Sequence, residues 1–152
     1  MDLILWRHAE AEDGFDDLAR ALTPKGKKQA ARMAHWLSTN VPAPWTVIAS
    51  PARRTQETVT ALNLPFETNQ KCRPGAHPEI ILDVAGWPYA EGTVIIVGHQ
   101  PTLGLAAALA LTGQPYPWSV RKGAMIWLTS RDREGVSPVQ LRACLSPDLI
   151  SE

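Results

Sequence analysis

The sequence predicts an α/β protein: a three-layer α/β/α sandwich around a mostly parallel sheet. Two observations predict it. Short apolar runs alternate along the chain with helix-like stretches, which is the pattern of β-α-β units. The last two runs have no helix between them, so an antiparallel hairpin is expected at one edge of the sheet.

The elements follow in order. Leu3-Ile4-Leu5-Trp6 is a short apolar run that reads as a buried strand. The polar, mixed segment from Asp13 to Arg20 reads as a loop or a short helix. Thr23-Pro24 opens a helix, with a threonine cap and proline at the first helical position. Ala30, Met33, Ala34 and Leu37 supply its apolar face, and the segment from Asn40 to Pro44 ends it. Thr46 to Ala49 is a second strand. Ser50-Pro51 repeats the cap-then-proline signal, so a helix is expected from there to about Leu62. Leu64 to Thr68 gives a weak third strand. His77-Pro78 starts another helix that Gly86 would end. Thr93 to Val97 is the clearest buried strand, and Pro101-Thr102 leads into a helix from Leu103 to Thr112 that is apolar almost all round. Such a helix must be covered on several sides. Ala124 to Thr129 and Val139 to Cys144 are the late strands.

Composition narrows the function. The chain has 152 residues, 45% of them apolar and 20% charged, which suits one domain over residues 1–152 with its own core. Fifteen basic residues balance fifteen acidic ones, so no overall field would hold the protein on nucleic acid or an anionic membrane. Any basic site must be local. No leader or spanning segment is read from the sequence, and Cys72 and Cys144 suit neither a metal knuckle nor a disulfide framework. A monomeric cytoplasmic protein with two free thiols, no cofactor and no metal is expected.

Chemistry gathers where three strands end. The first runs into Arg7-His8, the second into Ser50-Pro51-Ala52-Arg53-Arg54, and the third into Gly98-His99-Gln100-Pro101. Ligands of open α/β sheets sit beyond the carboxyl ends of the strands, so Arg7, His8, Arg54 and His99 should share one pocket. Two helix N-termini would face it and favour an anion. A neutral imidazole is nucleophilic near neutral pH, and guanidinium groups grip phosphoryl oxygens in a bidentate fork. A protonated second histidine could donate to an equatorial oxygen. Positioning and electrostatics of this kind are what a loose phosphoryl-transfer transition state needs.

These residues, in this order, resemble the histidine phosphatase superfamily, with its phosphoglycerate-mutase-like fold, and most of all its small SixA-type phosphohistidine phosphatases. Leu5-Trp6-Arg7-His8-Ala9 resembles the Arg-His-Gly signature. Leu22 to Ala30 resembles the Leu-Thr-x-x-Gly-x-x-Gln-Ala helix start. Ser50 to Thr58 resembles Ser-Pro-x-x-Arg-Ala-x-Gln-Thr, which gives the phosphate-binding place to Arg54 rather than Arg53. Val97 to Pro101 resembles the element carrying the second catalytic histidine, and Arg20 matches a pocket arginine of the small branch. The resemblance implies His8 as nucleophile, with Arg7, Arg20, Arg54 and His99 binding the phosphoryl group.

Two departures stand out. Ala9 replaces the usual glycine, which is acceptable if that residue keeps negative φ. Larger relatives carry a carboxylate that protonates the leaving oxygen, in one branch directly after the second histidine; Gln100 stands there, and Glu79 is the remaining candidate. The expected activity is phosphohydrolysis through a phosphohistidine enzyme, on a phosphorylated protein histidine. The rivals are a phosphatase for small phosphomonoesters, a non-catalytic phosphoprotein-binding module, and a metallohydrolase using His8, Glu10 and Glu12.

Overall fold

The computed structural model describes residues 1–131 and 138–151. Six strands form one sheet: β1 (Asp2–Arg7), β2 (Trp45–Ala49), β3 (Glu67–Thr68), β4 (Thr93–Gly98), β5 (Met125–Ser130) and β6 (Val139–Leu145). Their order across the sheet is β3-β2-β4-β1-β5-β6. The four strands from β3 to β1 are parallel, while β5 runs antiparallel to β1 and β6 antiparallel to β5. The expected edge hairpin is therefore present; its connection, residues 132–137, lies outside the described residues, as does Glu152 at the end of the expected domain.

Four α-helices complete the layers: α1 (Pro24–Asn40), α2 (Arg53–Thr60), α3 (Pro78–Ala85) and α4 (Thr102–Thr112). Successive side chains of a strand point to opposite faces, and the core divides accordingly. Leu3, Leu5, Val94 and Ile96 pack with Ile81 of α3 and with Leu103 and Ala107 of α4. Ile4, Trp6, Val47 and Val97 pack on the other face with Met33 and Leu37 of α1 and Val59 of α2. All four residues from Leu3 to Trp6 are fully buried, as a run covered on both faces requires.

The helix signals mostly act as read. The Thr23 side chain accepts from the Gly26 N–H at 2.9 Å, with Pro24 at the first helical position. Gly86, at φ 71°, closes α3, and Gly113, at φ 80°, closes α4. The apolar α4 is covered by the sheet, by α3 and by the loop after it. A Cβ on Gly104 would lie 1.8 Å from the Trp118 carbonyl oxygen, so that loop rests directly on the helix backbone.

Two expectations need correction. Ser50-Pro51 does not start α2: the helix begins at Arg53 behind Ala52, with no side-chain cap, and the Ser50 hydroxyl lies 2.7 Å from His99 Nε2 and accepts from the Ala52 N–H at 3.3 Å. The third strand is only Glu67–Thr68; the preceding Leu64 to Phe66 pairs with no strand. The segment from Asp13 to Arg20, expected as a loop or a short helix, is a loop holding one 3₁₀ turn, Asp17–Ala19.

Candidate active site

Strand register brings the site together. Arg7 is level with Gly98 across β1 and β4, and Ala49 is level with Val97 across β2 and β4. The residues just past these ends are His8, His99 and Ser50. Backbone bonds continue the alignment: the His8 N–H donates to the Gly98 oxygen and the Ser50 N–H to the Val97 oxygen, each at 3.1 Å. The His8 and His99 rings consequently lie next to each other, with centroids 5.4 Å apart and planes tilted by 52°.

Each ring has its proton placed by its partners. His8 Nδ1 lies 2.7 Å from the Ala9 carbonyl oxygen, which can only accept, so Nδ1 carries the hydrogen. Its Nε2 is left with the in-plane lone pair. Burial pushes the His8 pKa down to about 4, aided by the charges of Arg54, Arg7 and Arg20 and opposed by the Ala9 carbonyl. His8 is therefore neutral at ordinary pH. Arg54 can only donate, so its Nη2, 3.3 Å from His99 Nδ1, makes that nitrogen the acceptor. His99 Nε2–H then donates to Ser50 Oγ at 2.7 Å. Burial, and next the Arg54 charge, lower the His99 pKa to about 3. Burial and the adjacent guanidinium thus disfavour a positive charge on His99. A bound phosphoryl dianion would reverse that balance and favour protonation of Nδ1.

The arginines are separated as the helix geometry requires. The Arg54 side chain is 4% exposed, against 59% for Arg53, which pairs with Glu57 on the outer face of α2. Arg54 Nη1 donates to the Asp17 carbonyl oxygen at 2.6 Å and Nη2 to the Asp17 carboxylate at 3.1 Å. Arg20 reaches the same carboxylate at 3.2 Å through Nε and donates to the Glu12 carbonyl oxygen at 3.3 Å. Arg7 comes from the other side, its Nη1 donating 2.8 Å to the Val120 carbonyl oxygen. The Nε groups of Arg7 and Arg54 are buried and without a partner among the described residues. Buried guanidinium N–H groups left free are donors available to an oxyanion.

Two participants were not visible in the sequence. Asp17 links Arg20 to Arg54, and those cations hold its carboxyl below the usual range although it is exposed. Its spacing of three residues from Arg20 was the available signal. Ser50, fully buried, fixes His99 from 49 residues away, and no local pattern encodes that pair.

The other candidates fall outside this constellation. Gln100 is structural: its amide donates to the Trp118 oxygen at 2.9 Å and accepts from the Gly104 N–H at 2.8 Å. Glu79 is exposed at the start of α3, with no hydrogen bond or ion pair to the site among the described residues. The Glu10 carboxylate accepts from the Thr23 hydroxyl at 2.7 Å, and no cluster of three potential metal ligands forms among the described residues. Ala9 keeps an ordinary φ, since Asn63 alone of the described non-glycine residues has a positive one. Its methyl group packs with Leu22 and Ala30.

Comparison with known proteins identifies the family. The sequence profile of the histidine phosphatase superfamily (branch 1) matches residues 3–76. An uncharacterised protein of Mycobacterium leprae is 34% identical over 115 residues, covering 70% of this chain and 71% of that one. The chain belongs to the histidine phosphatase superfamily. It is thus a phosphatase with a histidine nucleophile. This histidine phosphatase is similar in structure to the protein histidine phosphatase SixA complexed with tungstate, at TM-score 0.76 and 25% identity, over 97% of this chain and 98% of that one. A SixA-type protein from Nakamurella multipartitia gives TM-score 0.77 and 25% identity, over 96% and 95% of the two chains. Among the described residues, no helix is long and apolar enough to cross a membrane.

The buried neutral histidines carry a pH prediction. Their unfolded pKa is about 6.5, while their folded values are about 4 and about 3. As pH falls through 6.5 the unfolded chain takes up protons that the folded one refuses, so stability drops between about pH 6.5 and 4. Each histidine adds a slope of up to about 1.4 kcal/mol per pH unit there. Urea midpoints at pH 7.5 and 5 should show the fall, and His99→Gln should make it shallower. An unchanged slope in that variant would contradict the burial described for His99.

Proposed function

We propose that this histidine phosphatase removes phosphoryl groups from protein phosphohistidine, with His8 as its nucleophile. The His8 Nε2 lone pair attacks phosphorus in line as the bond from phosphorus to the substrate nitrogen breaks. The leaving imidazole takes the bonding pair, having been protonated by solvent, and departs neutral. Arg7, Arg54 and His99, with Arg20 assisting, hold the three phosphoryl oxygens. Asp17 then has to yield part of its hold on Arg54, because the fork it occupies is the one an oxyanion would take. Water next attacks phosphorus of phospho-His8, inorganic phosphate leaves, and Nε2 recovers its lone pair.

The observation that carries the choice of substrate is Gln100. The position after the second histidine, a carboxylate in one branch of relatives, is here an amide tied to Trp118 and Gly104. An alkyl phosphate needs a proton delivered to its oxygen as the bond breaks, whereas a phosphoimidazole does not need a dedicated acid. The 25% identity to a protein histidine phosphatase supports the same reading.

The experiment compares substrates. Phosphohistidine peptides and phosphoramidate should be hydrolysed with kcat/KM well above that for sugar phosphates, and Glu79→Gln should change the phosphohistidine rate by less than about twofold, as for a surface substitution. A sugar or nucleoside phosphate proving the far better substrate, or loss of phosphohistidine hydrolysis in Glu79→Gln, would replace this reading with a small-molecule phosphatase.

A further inference from the structure

A basin of about 570 Å³ adjoins the active site through Arg7. Its volume lies within the range of ordinary ligand sites. Its walls are α1, the loop at 119–122 and the turn at 147–148. Arg7, Lys25, Lys28, Arg32, Arg121 and Lys122 line it, against the two carboxylates of Glu10 and Asp148. Six of the fifteen cationic side chains in a chain of zero net charge thus converge on one cavity.

The two carboxylates are already engaged. Glu10 accepts from the Thr23 hydroxyl at 2.7 Å, and Asp148 accepts from the Ser146 hydroxyl at 2.5 Å and pairs with Arg121 at 3.7 Å. Lys25, Lys28 and Lys122 form no ion pair among the described residues. Six cations against two carboxylates leave the lining with a surplus of positive charge.

The arrangement also has a direction. Lys25, Lys28 and Arg32 sit three and four residues apart, on one face of α1. Seven residues of helix at about 1.5 Å each span about 10.5 Å, the length of about three residues of extended chain. A strip of that length, in the same basin as a phosphate-binding arginine, suits an extended peptide with several carboxylates better than one compact anion. Arg7 joins the two sites physically: its Nη1 donates to the Val120 oxygen on the basin wall, and its buried Nε, without a partner among the described residues, is available to a phosphoryl oxygen.

We propose that this basin binds acidic side chains flanking the phosphohistidine of a protein substrate, and so selects phosphohistidines set in carboxylate-rich sequence. The proposal rests on the phosphohistidine reading above and adds to it the local chemistry of the partner. Charge complementarity of this kind supplies specificity and encounter rate, and it weakens with salt.

The test uses the full chain and three phosphohistidine peptides, identical except for acidic, neutral or basic flanks, with phosphoramidate as a flankless control. The kcat/KM for the acidic peptide should exceed that for the neutral one by about tenfold at low salt, equivalent to ~1.4 kcal/mol. In the double variant Lys25→Glu, Lys28→Glu the ratio should fall to about one or below, as expected if surface charge pairs carry it. Lys71→Gln, at an exposed lysine outside the basin, should leave the ratio as it was. Phosphoramidate turnover confirms that the chemistry survives in each variant. Peptide hydrolysis without acidic preference, or a preference that the double variant keeps, would overturn the basin's role and leave the phosphohistidine reading standing. Phosphoramidate turnover with no peptide hydrolysis would overturn the phosphohistidine reading. Selection for a small molecule bearing a second phosphate, lost in the double variant, would replace the acidic peptide as the occupant.

Discussion

His8→Ala is expected to lose turnover on every phosphorylated substrate, by at least about 10⁴-fold, because no covalent intermediate can form without the imidazole. The proposal assigns this role to His8 because it is 6% exposed, just past the aligned ends of the strands, and held neutral by burial. Its Nδ1–H is held by the Ala9 carbonyl, which aims Nε2 outward from the backbone. Phosphoramidate hydrolysis followed with folded His8→Ala and His8→Gln proteins checks the expectation. Far-ultraviolet circular dichroism and unfolding midpoints would show that both variants keep the fold. Turnover near the parent level in either folded variant would remove His8 from the role proposed here.

The second large effect separates two adjacent arginines. Arg54→Ala should lower kcat/KM by about 10²–10³-fold, the usual cost of removing a positioned donor to a transition-state oxyanion. Arg53→Ala should cost less than about 0.5 kcal/mol, as for a surface substitution away from such features. The contrast comes from burial and bonding: Arg54 lies against His99 and Asp17, whereas Arg53 pairs with Glu57 at the surface. Arg54→Ala also removes a buried side chain, so Arg54→Lys is the better comparison. Lysine keeps the charge and loses the planar fork, and the loss should remain large. Equal effects of the Arg53 and Arg54 substitutions would refute the assignment of phosphate binding to Arg54.

Much of this was legible in the sequence because it is encoded locally. Leu3 to Trp6 is continuously apolar because both its faces are covered, and Thr23-Pro24 is a cap because its partner is Gly26, three residues on. The convergence of Arg7, His8, Arg54 and His99 followed from the strand-end rule once three strands were recognised. What escaped depends on residues distant along the chain. Ser50 looked like a helix cap, and only folding shows that its hydroxyl belongs to His99. Gln100 gave no local hint that its amide braces the Trp118 loop against α4. Asp17 lay in a segment without periodicity; its three-residue spacing from Arg20 hinted at that pair, but nothing local pointed to Arg54, 37 residues away. The basic basin is likewise assembled from α1, a loop near residue 120 and a turn near residue 148, and zero net charge conceals it.

The most direct measurement traps the intermediate. Mixing with ³²P-labelled phosphoramidate, quenching in alkali within the first turnover and mapping the labelled peptide should place phosphate on His8. ³¹P spectra of the adduct should identify Nε2 as the bonded nitrogen, since Nδ1 is held by the Ala9 carbonyl. The adduct should be labile to acid and absent from His8→Ala. Phosphate on another residue, or burst turnover with no trapped adduct while His8→Ala remains active, would contradict the account.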